Sequence, residues 1–188
     1  MRPVVITALL LLVFLVNVQS DITKGYLNVS SRNHGRYQGN LRRTCNKGYQ
    51  TKPCNRKGWY RLDKNHCIRV FLTKKTFWEA EKTCQAHNGH QPSVHNAAEH
   101  DAVLCNAYKT WRGSNSHGRP MFWIGAHKHK GQFKWTDGTA FHFSRWNRHQ
   151  PDNWFGQEGC VEINYIVWGA WNDEACWAKR PFMCVTRM

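Results

Sequence analysis

The sequence predicts an α+β chain held together by disulfides, and three observations carry that reading. Two helix signals with N-terminal caps come first, aromatic strand-like segments follow, and eight cysteines punctuate the chain. In TFWEAEKTCQAHNG, Thr76 stands as N-cap with Glu79 three residues on, a capping box, and Gly89 is placed to close the C-terminal end. A second helix starts at Asn96, with Glu99 in the same relation, and is expected to run to about Tyr108. The texture then changes. MFWIGA is a short apolar run, KHKGQ reads as a hairpin turn, and FKWTDGTAFHF carries aromatic alternation broken at Asp137-Gly138. GCVEINY and PFMCVT are the later strand candidates.

The beginning of the chain reads differently. Residues 1–20 have the form of a signal peptide: Arg2, an apolar run from Val4 to Val16, then Val18 and Ser20 before a cut ahead of Asp21. A signal anchor is the weaker alternative, because a span wants roughly 20 apolar residues and Asn17 and Gln19 interrupt this run. No other stretch is apolar for long enough to cross a membrane. The mature chain is therefore expected to be secreted and extracellular, in an oxidising space where its cysteines pair. Of the net charge of +15, residues 21–58 hold +8, nine basic residues against Asp21. Residues 21–53 are poor in aliphatic side chains, which favours a solvated basic arm, and Asn28-Val29-Ser30 is a glycosylation sequon within it. Such an arm is either a soluble leader or a handle for heparin-like polysaccharide or anionic lipid; secretion sets nucleic acid aside.

From Cys54 onward, GWYRLDKNHC, TFWEAEKTC, FWIGA, FKWTDGT, QPDNW, CVEI, WNDEAC and RPFMCV follow one another in the order of the motifs of the C-type lectin domain. The chain resembles that family over residues 54–188. The resemblance implies a double-loop α+β fold with two helices, small mostly antiparallel sheets and a long ligand-binding loop. It also implies the disulfides Cys54–Cys67, Cys84–Cys184 and Cys160–Cys176. One departure is that four residues rather than three separate Cys54 from Trp59. Cys45 and Cys105 are left over. Either they pair with each other, tying the arm to the second helix, or they reach another chain; two leftover cysteines in a secreted chain usually find each other.

The stretch HQPDNWFGQEGC carries the chemistry. Calcium takes six to eight oxygen ligands from carboxylates, amide carbonyls and backbone, and Gln150, Asp152, Glu158, Asn172 and Asp173 offer that mixture. In the family, a cis bond before the proline of such a triplet turns its outer residues toward one ion. Two vicinal sugar hydroxyls then complete the coordination, with Gln150, Asp152, Glu158 and Asn172 as the matching sugar contacts. By the same resemblance, Gln-Pro-Asp goes with galactose and N-acetylgalactosamine, Glu-Pro-Asn with mannose. Trp154 fits the first, because the apolar C–H face of galactose packs on an aromatic ring; Trp123, Trp135, Trp146 and Trp171 read as core. A second calcium is not expected, since Asn153 and Gly159 stand where further acids are common. His127-Lys128-His129 reads as a solvated turn rather than a zinc site. No catalytic set is visible. The expected function is a calcium-dependent, galactose-type lectin; the alternative is a cationic structural or matrix protein that holds sulfated glycans, mineral or anionic membranes by charge.

Overall fold

The computed structural model describes residues 41, 43–46, 49, 52–114 and 118–188. The expected signal peptide (residues 1–20), the Asn28 sequon and residues 21–40 of the expected basic arm lie outside them. Leu41–Met188 form one compact unit, which starts earlier than the Cys54 expected from the sequence. Residues 41 and 43–46 are helical, Leu41 and Cys45 are buried, and Cys45 bonds Cys105. Tyr49 donates its hydroxyl to the carbonyl of Ala98 at 3.1 Å. The stretch counts as arm by composition because its few anchors are scattered singly among basic and polar residues, a pattern without periodicity.

The strands are β1 (Tyr60–Arg61), β2 (His66–Lys75), β3 (Gly89–His90), β4 (Phe122–His129), β5 (Gln132–Trp135), β6 (Glu158–Ile163), β7 (Trp171–Ala175) and β8 (Arg180–Arg187). They form one sheet in the order β1-β2-β8-β4-β6-β7, with β3 on β8 and β5 on β4. All pairs are antiparallel except β4 with β8 at Trp123 and Phe182. The expected small sheets are thus one continuous sheet. β2 against β8 brings the two ends of the domain together, and Cys84–Cys184 locks that closure from helix α1 (Phe77–Gln85). Cys54–Cys67 and Cys160–Cys176 complete the four disulfides.

Both helices begin where the caps indicate. The amide of Glu79 donates to Thr76 Oγ1 at 3.4 Å, and the Thr76 amide returns a bond to Glu79 Oε2 at 2.9 Å. Helix α2 (Ala97–Arg112) is capped by Asn96 Oδ1, which accepts from the Glu99 amide at 2.9 Å. Their ends differ from expectation. Helix α1 stops at Gln85 with Ala86 as C-cap, and Asn88 takes the left-handed conformation (φ 59°). Gly89 instead opens β3, where an added Cβ would lie 2.0 Å from the carbonyl oxygen of Val185. It is glycine because two backbones meet there. Helix α2 continues a turn beyond Tyr108, and its added Trp111 packs on Trp168.

Two further departures share one cause. Of FKWTDGTAFHF only the first three residues, 133–135, are strand, as the end of β5; Phe141 and Phe143 leave the sheet and set their rings near Trp171. Conversely, WNDEA is a strand whose composition does not announce it. Tertiary packing, rather than intrinsic strand preference, decides each case. Trp123, Trp135 and Trp171 are buried, and Trp146 is half-buried against Phe133 and Trp171.

The Cys45–Cys105 bond closes a 60-residue separation. In the chain-entropy view its loss should cost about 4 kcal/mol. Denaturant titration of the Cys45→Ser/Cys105→Ser protein should show that decrease, and an unchanged midpoint would mean the tie contributes nothing to the unit.

Candidate functional site

The site is built on β6 and β7, and a single irregularity in their pairing sets which side chains share a face. Val161 faces Asp173 and Glu162 faces Asn172, but between Glu158 and Cys160 the register shifts: Glu158 pairs with Ala175 and Cys160 with Glu174. Gly159 is the extra residue of this bulge. Strict alternation would put Glu158 on the face of Cys160 and Glu162. The bulge transfers it to the face of Ala175 and Asp173, which is how bulges re-aim side chains.

The long loop brings the third carboxylate. Ring contacts of Phe141, Phe143 and Trp146 with Trp171 anchor its near end. The Asn147 amide donates to the Trp171 carbonyl at 2.9 Å. The Gln150-Pro151 peptide is cis. Beyond it the chain turns under Asp173, whose Oδ1 and Oδ2 accept from the amides of Asp152 and Asn153, each at 3.0 Å. Gln150 Oε1 accepts from the Asp152 amide at 3.2 Å. Glu158 Oε2 accepts from the Trp154 amide at 3.0 Å, and Asn153 Oδ1 from the Glu158 amide at 3.2 Å. As a result Asp152, Glu158 and Asp173 each place a carboxylate oxygen within 4.8 Å of the others.

Three carboxylates so close repel one another, and Glu158 registers it. Burial first, with the Asp173 charge and a hydrogen bond to Asp152, pushes its carboxyl up to about 7, against the opposing pull of the Trp154 amide. Hard oxygen donors crowded at this spacing are the chemistry of a divalent cation site, and calcium fits the donor set.

Asn172 leaves β7 on the other face. Its amide nitrogen donates to Glu162 Oε1 at 3.2 Å, and Arg180 bonds both Glu162 Oε2 (2.6 Å) and Glu174 Oε2 (2.5 Å). Glu162 is fully buried; burial pushes its carboxyl up while Arg180 pulls it down. With that nitrogen engaged, only the carbonyl oxygen of Asn172 is suited to a cation. Four of the five sequence-derived ligands, Gln150, Asp152, Glu158 and Asp173, thus converge through shared hydrogen bonds, and Asn172 adjoins them from the far side of the edge strand.

Trp154 is 63% exposed beside the carboxylates. Of its neighbours, the sequence reading passed over Phe155 and weighed Asn153 only as an absent acid of a second calcium site. Phe155 is 80% exposed in a left-handed conformation (φ 51°), its ring 5.1 Å from Trp154 and nearly perpendicular to it. A bulky apolar residue carried at positive φ into solvent is costly and belongs to functional loops. Asn153 also takes positive φ (49°), tolerable for asparagine, and ties Glu158 to Asp173. The local signal for both was a hydrophobic pair between Asn and Gly in a polar loop.

Residues 73–186 match the Lectin C-type domain family. The chain belongs to the C-type lectin family. A C-type isolectin of Scorpaena plumieri is 36% identical over 126 residues, 67% of this chain and 84% of that protein. A C-type lectin galactose-binding isoform of Pseudechis australis is 36% identical over 124 residues, 63% of this chain and 75% of that protein. Among solved structures, the C-type lectin CEL-I of Cucumaria echinata aligns with TM-score 0.61 at 31% identity, covering 71% of this chain and 97% of that one. Human lithostathine shares the fold alone, with TM-score 0.62 at 21% identity. The lectin family and its structural neighbours are non-enzymatic binding proteins, and this C-type lectin binds rather than catalyses. Among the described residues no helix is long and apolar enough to cross a membrane.

The elevated Glu158 carboxyl gives a pH dependence with a definite sign. Because the folded form binds a proton at Glu158 more readily than the unfolded chain, the contribution of Glu158 to stability is fully present below about pH 4.5 and is lost as pH rises through about 7. In chelator, thermal unfolding should therefore fall between pH 5 and 7.5, and Glu158→Gln should flatten that slope. An identical slope in Glu158→Gln would assign the effect to other groups.

Proposed function

We propose that this C-type lectin is a secreted, calcium-dependent binder of glycans ending in galactose or N-acetylgalactosamine. The observation that carries the reading is the carboxylate trio of Asp152, Glu158 and Asp173 beside the exposed indole of Trp154. Gln150 and Asn172 supply the remaining ligands, Asn172 from the outer edge of β7, the last strand of the sheet. Calcium, when bound, supplies coordination positions for two vicinal hydroxyls. The chain's own groups orient those hydroxyls: the carboxylates of Asp152 and Glu158 accept hydrogen bonds from them, the amide of Gln150 donates to their oxygens, and Asn172, its nitrogen held by Glu162, offers its carbonyl oxygen. Trp154 takes the apolar face of the sugar. The order Gln150-Pro151-Asp152 supports galactose over mannose, as does the galactose-binding name of the Pseudechis australis relative.

Retention on galactose resin should require calcium and end on adding chelator. Trp154→Ala should weaken galactose binding by roughly tenfold, an aromatic contact of about 0.5–1.5 kcal/mol plus lost apolar burial. Gln150→Glu with Asp152→Asn should shift preference toward mannose. Retention unchanged in excess chelator would remove the calcium mechanism.

The net charge of +15 favours a second, compatible reading, in which heparin-like polysaccharide is held by charge. Of the +8 carried by residues 21–58, Arg42, Arg43, Lys47, Lys52, Arg56 and Lys57 contribute +6, and these lie inside the compact unit. Truncation to Leu41 removes only the other +2. It should leave galactose binding intact and lower heparin retention only slightly; a large loss of heparin retention would return the polyanion site to residues 21–40.

A further inference from the structure

The β4–β5 hairpin flanks the site with cations on the same face. Its residues 127–134, HKHKGQFK, hold three lysines, two histidines and no acid. In β4, Lys128 pairs with Phe133, and its ammonium lies 5.5 Å from the Phe133 ring centroid. Phe133 packs on Trp146, which lies on Trp171. That face of the sheet, by the alternation from Trp171 to Asp173, is the one bearing the carboxylates. A direct measure agrees: a Cβ built on Gly159 would lie 3.7 Å from Lys128 Cβ. Gly159 adjoins Glu158 and is the bulge residue that brings it to this face. A side chain at position 159 would meet Lys128 on one side and Cys176 Sγ, 3.8 Å from the added Cβ, on the other, and an acid there would pair with the lysine. Glycine leaves that space open. Among the described residues Lys128 and Lys130 enter no ion pair with a carboxylate, and Lys130 stands exposed at the hairpin turn (φ 48°) beside Gly131.

We propose that Lys128, aided by Lys130, forms an anion subsite beside the sugar site, so that the preferred ligand is a galactoside carrying a sulfate ester. The proposal rests on the galactose reading above: the ring hydroxyls engage the trio and the sulfate reaches across Gly159 to Lys128. The sulfate oxygens accept charge-assisted hydrogen bonds from the ammonium groups, and no bond is made or broken. The carboxylate trio repels a sulfate while its own charge is uncompensated, so the preference should exist only with calcium present.

The test is isothermal titration of the full chain with lactose, with 3-O-sulfated lactose and with 6-O-sulfated lactose, in calcium. At least one sulfated form should bind about fivefold more tightly at ~50 mM salt, the range of two exposed ion pairs, and the advantage should shrink toward twofold at ~0.5 M. Lys128→Gln/Lys130→Gln should abolish the advantage and leave lactose affinity unchanged. Gly159→Asp should abolish it as well, by giving Lys128 an internal partner. Equal binding of lactose and both sulfated forms, or an advantage that survives Lys128→Gln/Lys130→Gln, overturns the subsite while leaving the galactose reading standing. Absence of binding by every galactoside in calcium overturns the galactose reading and the subsite with it.

Discussion

The antiparallel ladder of β6 and β7, with its one extra residue at Gly159, is the constraint on which the site depends. Pairing Val161 with Asp173 and then Glu158 with Ala175 moves Glu158 across the sheet to join Asp173. Without that shift the two acids would face opposite ways. With it, Asp173 can also receive the backbone amides of Asp152 and Asn153 and so fix the tip of the long loop.

That ladder needs a rigid platform. β7 ends the strand order and pairs with β6, with Trp171 bridged to Trp146 on its other edge, and Arg180 of β8 reinforces it through Glu162 and Glu174 on the face away from the carboxylates. β8 is in turn clamped by β2 and by Cys84–Cys184, which joins it to helix α1. The loop's near end is held both by aromatic rings on Trp171 and by backbone hydrogen bonds, from Asn147 to the Trp171 carbonyl and from Trp171 to the Arg145 carbonyl. Mechanical order thus runs from chain closure, through a buried ion-pair network, to a polar surface loop. A loop so anchored can carry strained residues such as Phe155 because its surroundings over-determine its path.

Electrostatics follow the same two-sided plan. On one face of β7 a buried glutamate is balanced by a guanidinium; on the other three carboxylates crowd together without a basic partner, and Glu158 holds its proton to about 7. Among the described residues the trio makes no ion pair with arginine or lysine, an arrangement suited to a cation supplied from solution. The basic hairpin one strand away adds cations at the rim of that acidic centre.

Much of this was written in local sequence. The capping pairs Thr76 with Glu79 and Asn96 with Glu99 fixed both helix starts, because a cap is decided within four residues. The acids and amides of the candidate site, their spacing and the exposed Trp154 were legible for the same reason. What lay beyond local reach was set by distant partners. Gly89 serves a close approach to Val185, not a helix end; Cys45 and Leu41 belong to the core; Phe141 and Phe143 glue a loop rather than build a strand. The facing of Glu158 toward Asp173 and of Asn172 toward Glu162 follows from strand register. Register is a relation between two segments of chain, and tertiary packing alone chooses it.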